Sequence, residues 1–382
     1  MLGLAGGCGR FSQLEPRHGD RCPRTRGVAW AGRPSRPPVG FPERWRSSAH
    51  GLKSVLDYVR HVSRPYSAEL SKLLSPGSLR IVGCRDGPSG RLRAVTTTAL
   101  GGSAPLAHRF AHAYSAAGLR GRAAVWRLAH RLGGPRRGGE LRVGSGSLGL
   151  NLDRGLDGVL YAGMFETGEL ALIGSIIRPG DVCVDVGANI GLYSVLCASR
   201  GARVIAFEPT VTHAELTLNL APWPDSVAIN IGISDEDGEL HMGRPYAGEV
   251  GDAHSSFRAG TCSDPTMPVR RLAGVPQVAE LETIDFLKVD VEGWEPQVIA
   301  GARELWERRA IGIALVEVSQ QWGATDYLTY LADLGYACFS VETHTGRLRR
   351  RAVLTPVDLD RMPGQINVLV VRPDRMNRLP QP

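Results

Sequence analysis

The stretch Val182-Cys-Val-Asp-Val-Gly-Ala-Asn-Ile-Gly191 indicates the architecture of this chain most clearly, and Val204-Ile-Ala-Phe-Glu-Pro209 follows it closely. In the first stretch an apolar strand enters a glycine turn and a helix opens. In the second, an apolar strand ends on the carboxylate of Glu208. This pattern predicts a nucleoside-cofactor site at the carboxyl edge of a parallel sheet. A lone acid after the second strand suits a ribose, because one carboxylate can accept hydrogen bonds from both hydroxyls.

The glycine turn separates two classes of nucleoside cofactor. A nicotinamide dinucleotide needs Gly-x-Gly-x-x-Gly, in which the middle glycine lets backbone amides approach a pyrophosphate. Asn189 holds that position here. S-adenosylmethionine has no phosphate, and a carboxylate at Asp185 can meet its ammonium group directly or through water. The turn therefore favours the methyl donor, with a dinucleotide site or a turn without any ligand as alternatives.

Strands and helices alternate from about residue 141 onward, which predicts a mostly parallel, doubly wound α/β sheet. The predicted strands are Leu148–Leu152, Val182–Val186, Arg203–Phe207, Val227–Ile231, Phe286–Val291, Ile311–Val318, Cys338–Val341 and Asn367–Arg372. The predicted helices are Leu170–Ile177, Ile190–Ser199, Thr212–Leu220, Glu295–Leu305 and Asp326–Leu334. Between them, Asp235-Glu-Asp-Gly238 is typical of a hairpin, and the rest of 235–268 is predicted to be a long loop.

The chain ahead of this sheet differs in composition. Residues 1–50 are rich in Gly, Pro and Arg and are predicted to be disordered. Residues 51–140 are predicted to form a small helical or mixed region, with short strands at Leu79–Cys84 and Leu92–Thr98 and an amphipathic, arginine-bearing helix over Leu119–Leu132. Such a basic helix can dock on its own domain or lie on an anionic membrane. Residues 141–372 then form the α/β domain, and residues 373–382 a tail.

Charge and cysteine content limit the class of protein. Residues 1–150 hold 25 basic and 7 acidic side chains, whereas the rest holds 20 basic and 31 acidic ones. This asymmetry can indicate a nucleic-acid or membrane-facing extension, but nearly all the basic residues are arginine, which a biased genome also produces. No apolar run approaches the ~20 residues of a membrane span, and no signal peptide is evident. The 7 scattered cysteines form no zinc motif, which predicts reduced thiols in a cytoplasmic protein.

Polar side chains stand at the carboxyl end of each predicted core strand. They are Asp185, Glu208, Ser234, Asp290 and Glu317. Any one of them could cap a helix or lie in a solvated loop. Ligands of open α/β sheets, however, bind beyond these strand ends, so polar residues all along one edge predict a site.

The segment Phe286-Leu-Lys-Val-Asp-Val-Glu-Gly-Trp-Glu295 is the second distinctive one. Strand alternation places Lys288, Asp290 and Glu292 on one face. Three charges there would be costly without a ligand, a metal or a counter-charge, and pairing with Lys288 would lower the pKa of a carboxylate. Glu292 and Glu295 also begin a predicted helix, whose positive end favours acids, so a structural role is the alternative for both.

Together with the strand ending Val316-Glu317, these motifs resemble those of the FkbM-type methyltransferases over roughly residues 140–372. The resemblance implies an S-adenosylmethionine-dependent enzyme with the seven-stranded, class I methyltransferase fold. It also implies transfer of a methyl group to a hydroxyl of a sugar, a glycolipid or a polyketide-type natural product. The loop over Tyr246–Pro268 is longer and richer in glycine than is usual for the family.

The resemblance and the chemistry assign roles to single residues. The cofactor-binding residues implied are Asp185, Gly187, Asn189 and Gly191 on the methionine side, Glu208 at the ribose, Ser234 at the adenine, and Glu166 ahead of the first strand. A base near the acceptor oxygen would assist the displacement. Asp290 is the first candidate, followed by Glu317 and Glu292, and a divalent metal bridging Asp290 and Glu317 is an alternative. Further base candidates are His213, His241 and His254.

Two other functions remain open at this point. An RNA methyltransferase would account for the arginine-rich front. The chain lacks an Asn-Pro-Pro-aromatic or Pro-Cys signature and interleaved aromatics for base stacking, so nucleic acid is not the expected partner. A non-catalytic module that binds the donor is the second alternative, against which the retained Asp185, Glu208 and Asp290 argue. The expected partner is a small-molecule, sugar or glycolipid acceptor, with peripheral membrane contact through the basic front as an option.

Overall fold

The computed structural model of the protein describes residues 98–116, 121–132, 138–152, 155–243, 255–257, 260–319, 321, 323–345, 350–358 and 364–380. The segment 1–50 predicted to be disordered and the predicted strand Leu79–Cys84 lie outside these residues, as does most of Leu92–Thr98. In the part of the chain that is described, no helix has the length and apolar character needed to cross a membrane.

Strands and helices alternate along most of the described chain. The strands are β1 (Thr98–Leu100), β2 (Gly138–Val143), β3 (Gly146–Asn151), β4 (Val182–Val186), β5 (Arg203–Phe207), β6 (Val227–Ile229), β7 (Gly232–Ser234), β8 (Gly238–His241), β9 (Thr266–Arg271), β10 (Ile284–Val289), β11 (Ile311–Ser319), β12 (Ala337–Thr345), β13 (Arg350–Pro356) and β14 (Gln365–Val371). The α-helices are α1 (Leu106–Ala116), α2 (Arg122–Arg131), α3 (Gly155–Tyr161), α4 (Thr167–Ile176), α5 (Leu192–Ser199), α6 (His213–Leu220), α7 (Pro276–Ala279), α8 (Glu295–Gly301), α9 (Arg303–Glu307) and α10 (Ala324–Asp333). Short 3-10 helices lie at Leu272–Gly274 and Pro373–Arg378.

One large sheet organises these elements, in the order β13-β12-β14-β11-β10-β4-β5-β6. The strands from β11 to β6 in this order are parallel, whereas β14 runs antiparallel between β11 and β12. The chain order reverses between β4 and β10, which is the switch point where ligands of such sheets bind. The predicted doubly wound, mostly parallel sheet is therefore confirmed, and β13 adds an edge strand to the seven expected.

Both faces of the large sheet are buried, as expected for parallel strands covered by helices. In β4, Cys183 belongs to the apolar core on one face, together with Ile173 of α4 and Leu196 of α5. Val184 and Val186 belong to the core on the other face, with residues of α8 and α10. The mostly apolar sequence of this strand, apart from Asp185, reflects its burial on two sides.

A smaller sheet of β7, β8 and β9 lies at the two ends of the segment 235–268, and the predicted hairpin at Asp235–Gly238 is wrong. Much of the predicted long loop lies outside the described residues, and the described residues between 242 and 265 belong to no named strand. β9 lies between β7 and β8, parallel to β7 and antiparallel to β8. The turn at Asp235–Gly238 therefore joins two strands that do not pair with each other. In β9 only Val269 is fully buried, so the strand has too little apolar alternation to stand out in the sequence.

Several element boundaries also differ from the prediction. β6 ends early, at Ile229, and β10 ends at Val289 rather than at Val291. The long helix predicted after β10 is divided at Ala302 into α8 and α9. The strand β13 is not evident in the sequence, because it lies at the edge of the sheet and starts with charged residues, beginning at Arg350.

The described residues ahead of the large sheet share its core. β1, β2 and β3 form an antiparallel sheet, and β2 crosses residue 140, where the sequence predicts the start of the α/β domain. In α2, Val125 and Trp126 are buried and Arg127 is exposed. Trp126 Nε1 donates to Ser115 Oγ at 2.9 Å and to the carbonyl of Ala162 at 3.1 Å. The predicted amphipathic helix is thus confirmed, and its apolar face packs on its own domain.

The predicted tail contains a short helix that is tied to the amino-terminal edge of the large sheet. Arg378 lies 2.7 Å from Asp181 and 3.3 Å from Asp285, and Arg375 also lies 3.3 Å from Asp285. Asp181 immediately precedes β4, and Asp285 lies in β10. These ion pairs therefore join the starts of the two strands that flank the switch point.

Two buried histidines have hydrogen-bond partners that suit their neutral forms. His108 faces the carbonyl of Ala129 and the hydroxyl of Tyr161, each at 3.2 Å. His112 faces the carbonyl of Tyr161 at 2.9 Å and the hydroxyl of Thr98 at 3.2 Å. Each ring can donate to its carbonyl and accept from its hydroxyl, which is the pattern of the neutral form. Burial lowers the pKa of both rings.

We expect this pair to reduce the free energy of unfolding as the pH falls below about 6.5, where histidine of the unfolded chain takes up a proton and the native rings resist it. Buried carboxyl groups act in the opposite direction, so the test compares His112→Gln with the parent protein. Urea unfolding between about pH 7.5 and about pH 5 should show a smaller pH effect of this sign in the variant. Identical pH profiles would contradict the prediction.

Candidate active site

A cavity of about 210 Å³ opens at the carboxyl ends of β4, β5 and β10, beside the switch point. Most of the predicted site residues line it, namely Glu166, Asp185, Gly187, Asn189, Glu208, Asp290, Glu292 and Glu317. These residues are far apart in the sequence, and the sheet brings them together because the carboxyl ends of parallel strands share one edge.

Two predicted cofactor residues do not line the cavity. Gly191 begins α5 with a φ of +94°, and a Cβ added there would lie 2.7 Å from Leu216 Cδ1, so this glycine allows a close helix contact. Ser234 is buried, and its hydroxyl donates to Asp235 at 2.9 Å and accepts from Trp294 Nε1 at 3.2 Å. Both residues therefore make packing or hydrogen-bond contacts next to the cavity without lining it.

Gly187 lets the turn after β4 pass directly against the chain that leaves β10. Its φ is +80°, and a Cβ added there would lie 1.9 Å from the carbonyl oxygen of Asp290. The amides of Gly187 and Ala188 both donate to the carbonyl of Phe207 at 3.0 Å. The glycine turn is therefore fixed against both neighbouring strand ends.

The Glu208 side chain lies beside the glycine turn and is fixed there by hydrogen bonds. Its side chain is buried, and Oε2 accepts the backbone amide of Asn189 at 2.8 Å. Oε1 accepts the amide of Thr210 at 2.9 Å and its hydroxyl at 2.6 Å. The carboxylate is thus oriented before any ligand arrives, and Asn189 contributes through its backbone rather than through its side chain.

Asp185 lies in the floor of the cavity. It is buried, and Ser194 donates its hydroxyl to Oδ2 at 2.6 Å. Burial raises the pKa of Asp185 to about 6, although the Ser194 hydrogen bond and the positive charge of Lys288 oppose the shift. At neutral pH the group therefore carries a negative charge that is poorly compensated by solvent.

Lys288 and Asp290 form the predicted ion pair. Lys288 Nζ lies 3.2 Å from Asp290 Oδ2 and 5.1 Å from the centre of the Tyr193 ring. Burial lowers the pKa of Lys288, but Asp290, Glu166 and Glu317 outweigh it and raise the pKa overall, so the ammonium stays charged. The ammonium is fully enclosed, whereas the Asp290 side chain is 27% exposed and lines the cavity.

Glu292 does not share a strand face with this pair, so the predicted row of three charges is wrong. The strand ends at Val289, and Glu292 lies in the following turn with a φ of +52°. The alternation of strand side chains does not continue into a turn. Glu292 nevertheless reaches the cavity from the loop.

Glu317, on β11, has an environment unlike that of Asp290. Burial raises its pKa to about 9, and the nearby charge of Asp290 adds to this effect while Lys288 opposes it. This shift favours the protonated carboxyl, which can donate a hydrogen bond. Within the described residues, its Oε2 is buried without a hydrogen-bond partner.

Glu166 is joined to a network that the sequence analysis missed. It accepts the hydroxyl of Tyr193 at 2.5 Å and the side-chain amide of Asn367 at 2.7 Å. Asn367 also faces Lys288 Nζ at 3.5 Å and pairs with Glu317 across the antiparallel strands. Tyr193 lies two residues after Gly191, so its position beside the glycine turn is visible in the sequence. Asn367 offers no sequence signal, because only the strand order places it here.

The metal and histidine alternatives receive no support from the described residues. Among them no group of three or more His, Cys, Asp or Glu side chains could hold a metal ion. The ammonium of Lys288 supplies the positive charge beside Asp290. His213 and His241 do not line the cavity, and His254 lies outside the described residues.

Comparison with known proteins gives a match over the segments that carry these site residues. The family model described as the methyltransferase FkbM domain matches residues 185–338. This range begins at Asp185 and includes the glycine turn, Glu208, the Lys288–Asp290 pair and Glu317.

Three curated relatives resemble parts of the chain. AMB antimetabolite synthetase AmbE of Pseudomonas aeruginosa is 30% identical over 230 residues, which is 49% of this chain and 10% of AmbE. Hexuronic acid methyltransferase AglP of Haloferax volcanii is 29% identical over 142 residues, 36% of this chain and 56% of AglP. The 31-O-demethyl-FK506 methyltransferase FkbM of Streptomyces tacrolimicus is 27% identical over 201 residues, 44% of this chain and 77% of that enzyme. The chain thus spans about a tenth of the first relative and about half of the second.

The range matched by the family model includes both distinctive sequence motifs of the chain, the first of them from Asp185 onward. The matched range contains the loops that carry Asp185, Glu208 and Asp290 into one cavity. Residues 185–338 of this chain therefore resemble the methyltransferase domain of the FkbM family.

Proposed function

We propose that the protein is an S-adenosylmethionine-dependent O-methyltransferase that acts on a hydroxyl of a sugar, a glycolipid or a polyketide-type natural product. The observation that carries this proposal is the convergence of Asp185, Glu208 and Asp290 on one cavity at the switch point. The match to the FkbM domain supports the same chemistry.

The residues around the cavity fit S-adenosylmethionine. When bound, this donor would supply a methyl group on a positively charged sulfur. The described lining carries the carboxyl groups of Glu166, Asp185, Glu208, Asp290, Glu292 and Glu317 and the ammonium group of Lys288. Such a predominance of negative charge favours a cationic molecule. Asp185, Gly187 and Asn189 would hold the methionine part, and Glu208 would accept the ribose hydroxyls.

Asp290 is the proposed proton acceptor. Its carboxylate reaches the cavity, and the buried Lys288 holds one oxygen at 3.2 Å, which orients the other. As the acceptor oxygen attacks, its proton passes to Asp290. Alignment of the two reactants supplies a further part of the acceleration, up to roughly 7–11 kcal/mol.

Glu317 and Glu292 are proposed to hold the acceptor. Because the Glu317 pKa is raised to about 9, this carboxyl can donate a hydrogen bond to an acceptor oxygen at neutral pH. Glu292 reaches the same cavity as an acceptor of hydrogen bonds. Paired donors and acceptors of this kind suit a polyhydroxyl compound.

The names of two relatives support an oxygen acceptor. One is named for a hexuronic acid and another for the 31-O position of demethyl-FK506. Both names indicate oxygen-rich compounds, which agrees with the polar groups around the cavity of this chain.

The proposal is tested by incubating the full chain with methyl-labelled S-adenosylmethionine and a panel of acceptors. The panel contains neutral methyl glycosides, a uronic acid glycoside, a glycolipid extract, a macrolide alcohol and total RNA. We expect label in an alkali-stable methyl ether of a glycoside, glycolipid or macrolide. Label in RNA would overturn the acceptor class, and donor binding without transfer to any of these would favour a non-catalytic module.

A further inference from the structure

The loop that follows β10 has a backbone conformation that needs support. Glu292 and Gly293 have φ values of +52° and +96°, so two consecutive residues lie in the left-handed region. This conformation is unfavourable for a residue with a side chain such as Glu292. The same loop brings Asp290, Val291 and Glu292 to the cavity, so its shape determines where the proposed proton acceptor lies.

Glu295 holds this loop from the helix that follows it. The side chain is 0% exposed, and Oε1 accepts the amide of Val291 at 3.0 Å and the amide of Gly293 at 3.2 Å. An acid in the first turn of a helix usually serves the positive end of that helix. Here the carboxyl group also turns back and accepts hydrogen bonds from two backbone amides of the loop.

The second oxygen of Glu295 faces a different environment. Among the described residues, Oε2 is buried without a hydrogen-bond partner, and so is the hydroxyl of Tyr327 on α10. Burial raises the pKa of Glu295 to about 7; the backbone hydrogen bonds oppose this shift and the charge of Asp290 adds to it. Burial and the charges of Glu295 and Glu317 also raise the pKa of Tyr327. Oε1 can accept the two amides whether the carboxyl is ionised or protonated.

We infer that Glu295 is a positioning residue that fixes the loop 290–293 through the amides of Val291 and Gly293 and thereby sets the place of Asp290 in the cavity. Its effect on turnover rests on the proposed function, whereas its hold on the loop does not. An amide side chain has the same shape as a protonated carboxyl, so Glu295→Gln keeps an acceptor for both amides. Glu295→Ala removes the acceptor of both of these hydrogen bonds.

The experiment compares Glu295→Ala, Glu295→Gln and Glu304→Ala in the full chain. Glu304 is an exposed acid of α9 and serves as the matched control. Hydrogen exchange of residues 290–295 and calorimetry with S-adenosylhomocysteine require no acceptor. We expect faster exchange only in Glu295→Ala and unchanged affinity in all three. With an acceptor from the panel, kcat should fall by about 100-fold in Glu295→Ala, as for a misplaced catalytic group, while the donor KM stays unchanged.

The amide variant also has its own signature in stability. The pKa of Glu295 is about 7 in the folded protein and about 4.3 in an unfolded chain, so its contribution to stability is present at low pH and is lost as the pH rises toward 7. Glu295→Gln should therefore lose less stability than the parent protein between about pH 5 and about pH 8. It should also keep its kcat.

Three results would overturn the inference. Unchanged loop exchange in Glu295→Ala would show that the carboxyl does not hold the loop, whatever the enzyme transfers. A loss of kcat in Glu295→Gln as large as in Glu295→Ala would show a proton-transfer role instead. If Glu295→Ala does not fold, Gly293→Ala strains the same loop at its φ of +96°. Its kcat must then fall at constant donor affinity, and an unchanged kcat would contradict the inference.

Discussion

Glu208→Ala is expected to weaken binding of S-adenosylhomocysteine by at least about tenfold, since hydrogen bonds to a charged group contribute roughly 1.5–3 kcal/mol. The variant loses the carboxylate proposed to accept the ribose hydroxyls. It also frees the amides of Asn189 and Thr210, which this carboxylate now orients at 2.8 and 2.9 Å. Isothermal titration calorimetry on the full chain measures the change directly.

Glu236→Ala is the matched control for this measurement, because Glu236 is an exposed acid away from the cavity. Its affinity should equal that of the parent protein. Circular dichroism and thermal unfolding show whether Glu208→Ala remains folded. Equal affinity in a folded Glu208→Ala protein would remove Glu208 from the donor site.

Asp290→Asn should reduce turnover by about 10²–10⁴-fold, the usual contribution of a general base, and leave donor affinity nearly unchanged. Asparagine keeps the shape of the side chain, and its oxygen can still accept from Lys288, which lies 3.2 Å from Asp290 Oδ2. The variant therefore removes the proton acceptor without removing its partner. Single-turnover kinetics and calorimetry separate the two effects.

Glu317→Gln is the informative comparison for Asp290→Asn. Since burial raises the pKa of Glu317 and favours its protonated form, glutamine resembles the carboxyl in that form. We expect Glu317→Gln to keep most of the turnover that Asp290→Asn loses. A larger loss of turnover in Glu317→Gln than in Asp290→Asn would make Glu317 the proton acceptor instead of Asp290. An equal loss of turnover and donor affinity in Asp290→Asn would show that Asp290 is not the base.

Two of the three strands at the cavity could be predicted from the sequence to the residue. The predicted bounds Val182–Val186 and Arg203–Phe207 are those observed for β4 and β5. Both are short apolar runs that end on a glycine turn or on Glu208-Pro209, so their ends carry a local signal. The positions of Asp185, Glu208 and Asp290 at one edge then follow from parallel topology alone.

Contacts made across the sheet could not be predicted in this way. The network from Glu166 to Tyr193 and Asn367 joins three distant segments, and only the antiparallel β14 brings Asn367 beside the cavity. Glu295 appears in the sequence as an ordinary acid at a helix start, and its return to the loop depends on the turn at Gly293. The prediction that Lys288 and Glu292 share a strand face is wrong, because the alternation of side chains does not continue beyond the end of a strand.

A crystal structure of the full chain with S-adenosylhomocysteine bears most directly on the donor assignment. We predict that both ribose hydroxyls lie within hydrogen-bond distance of the Glu208 carboxylate, with the sulfur above the turn at Gly187 and facing Asp290. A ligand bound elsewhere, or a crevice that accepts a pyrophosphate-bearing dinucleotide in place of this nucleoside, would contradict the assignment.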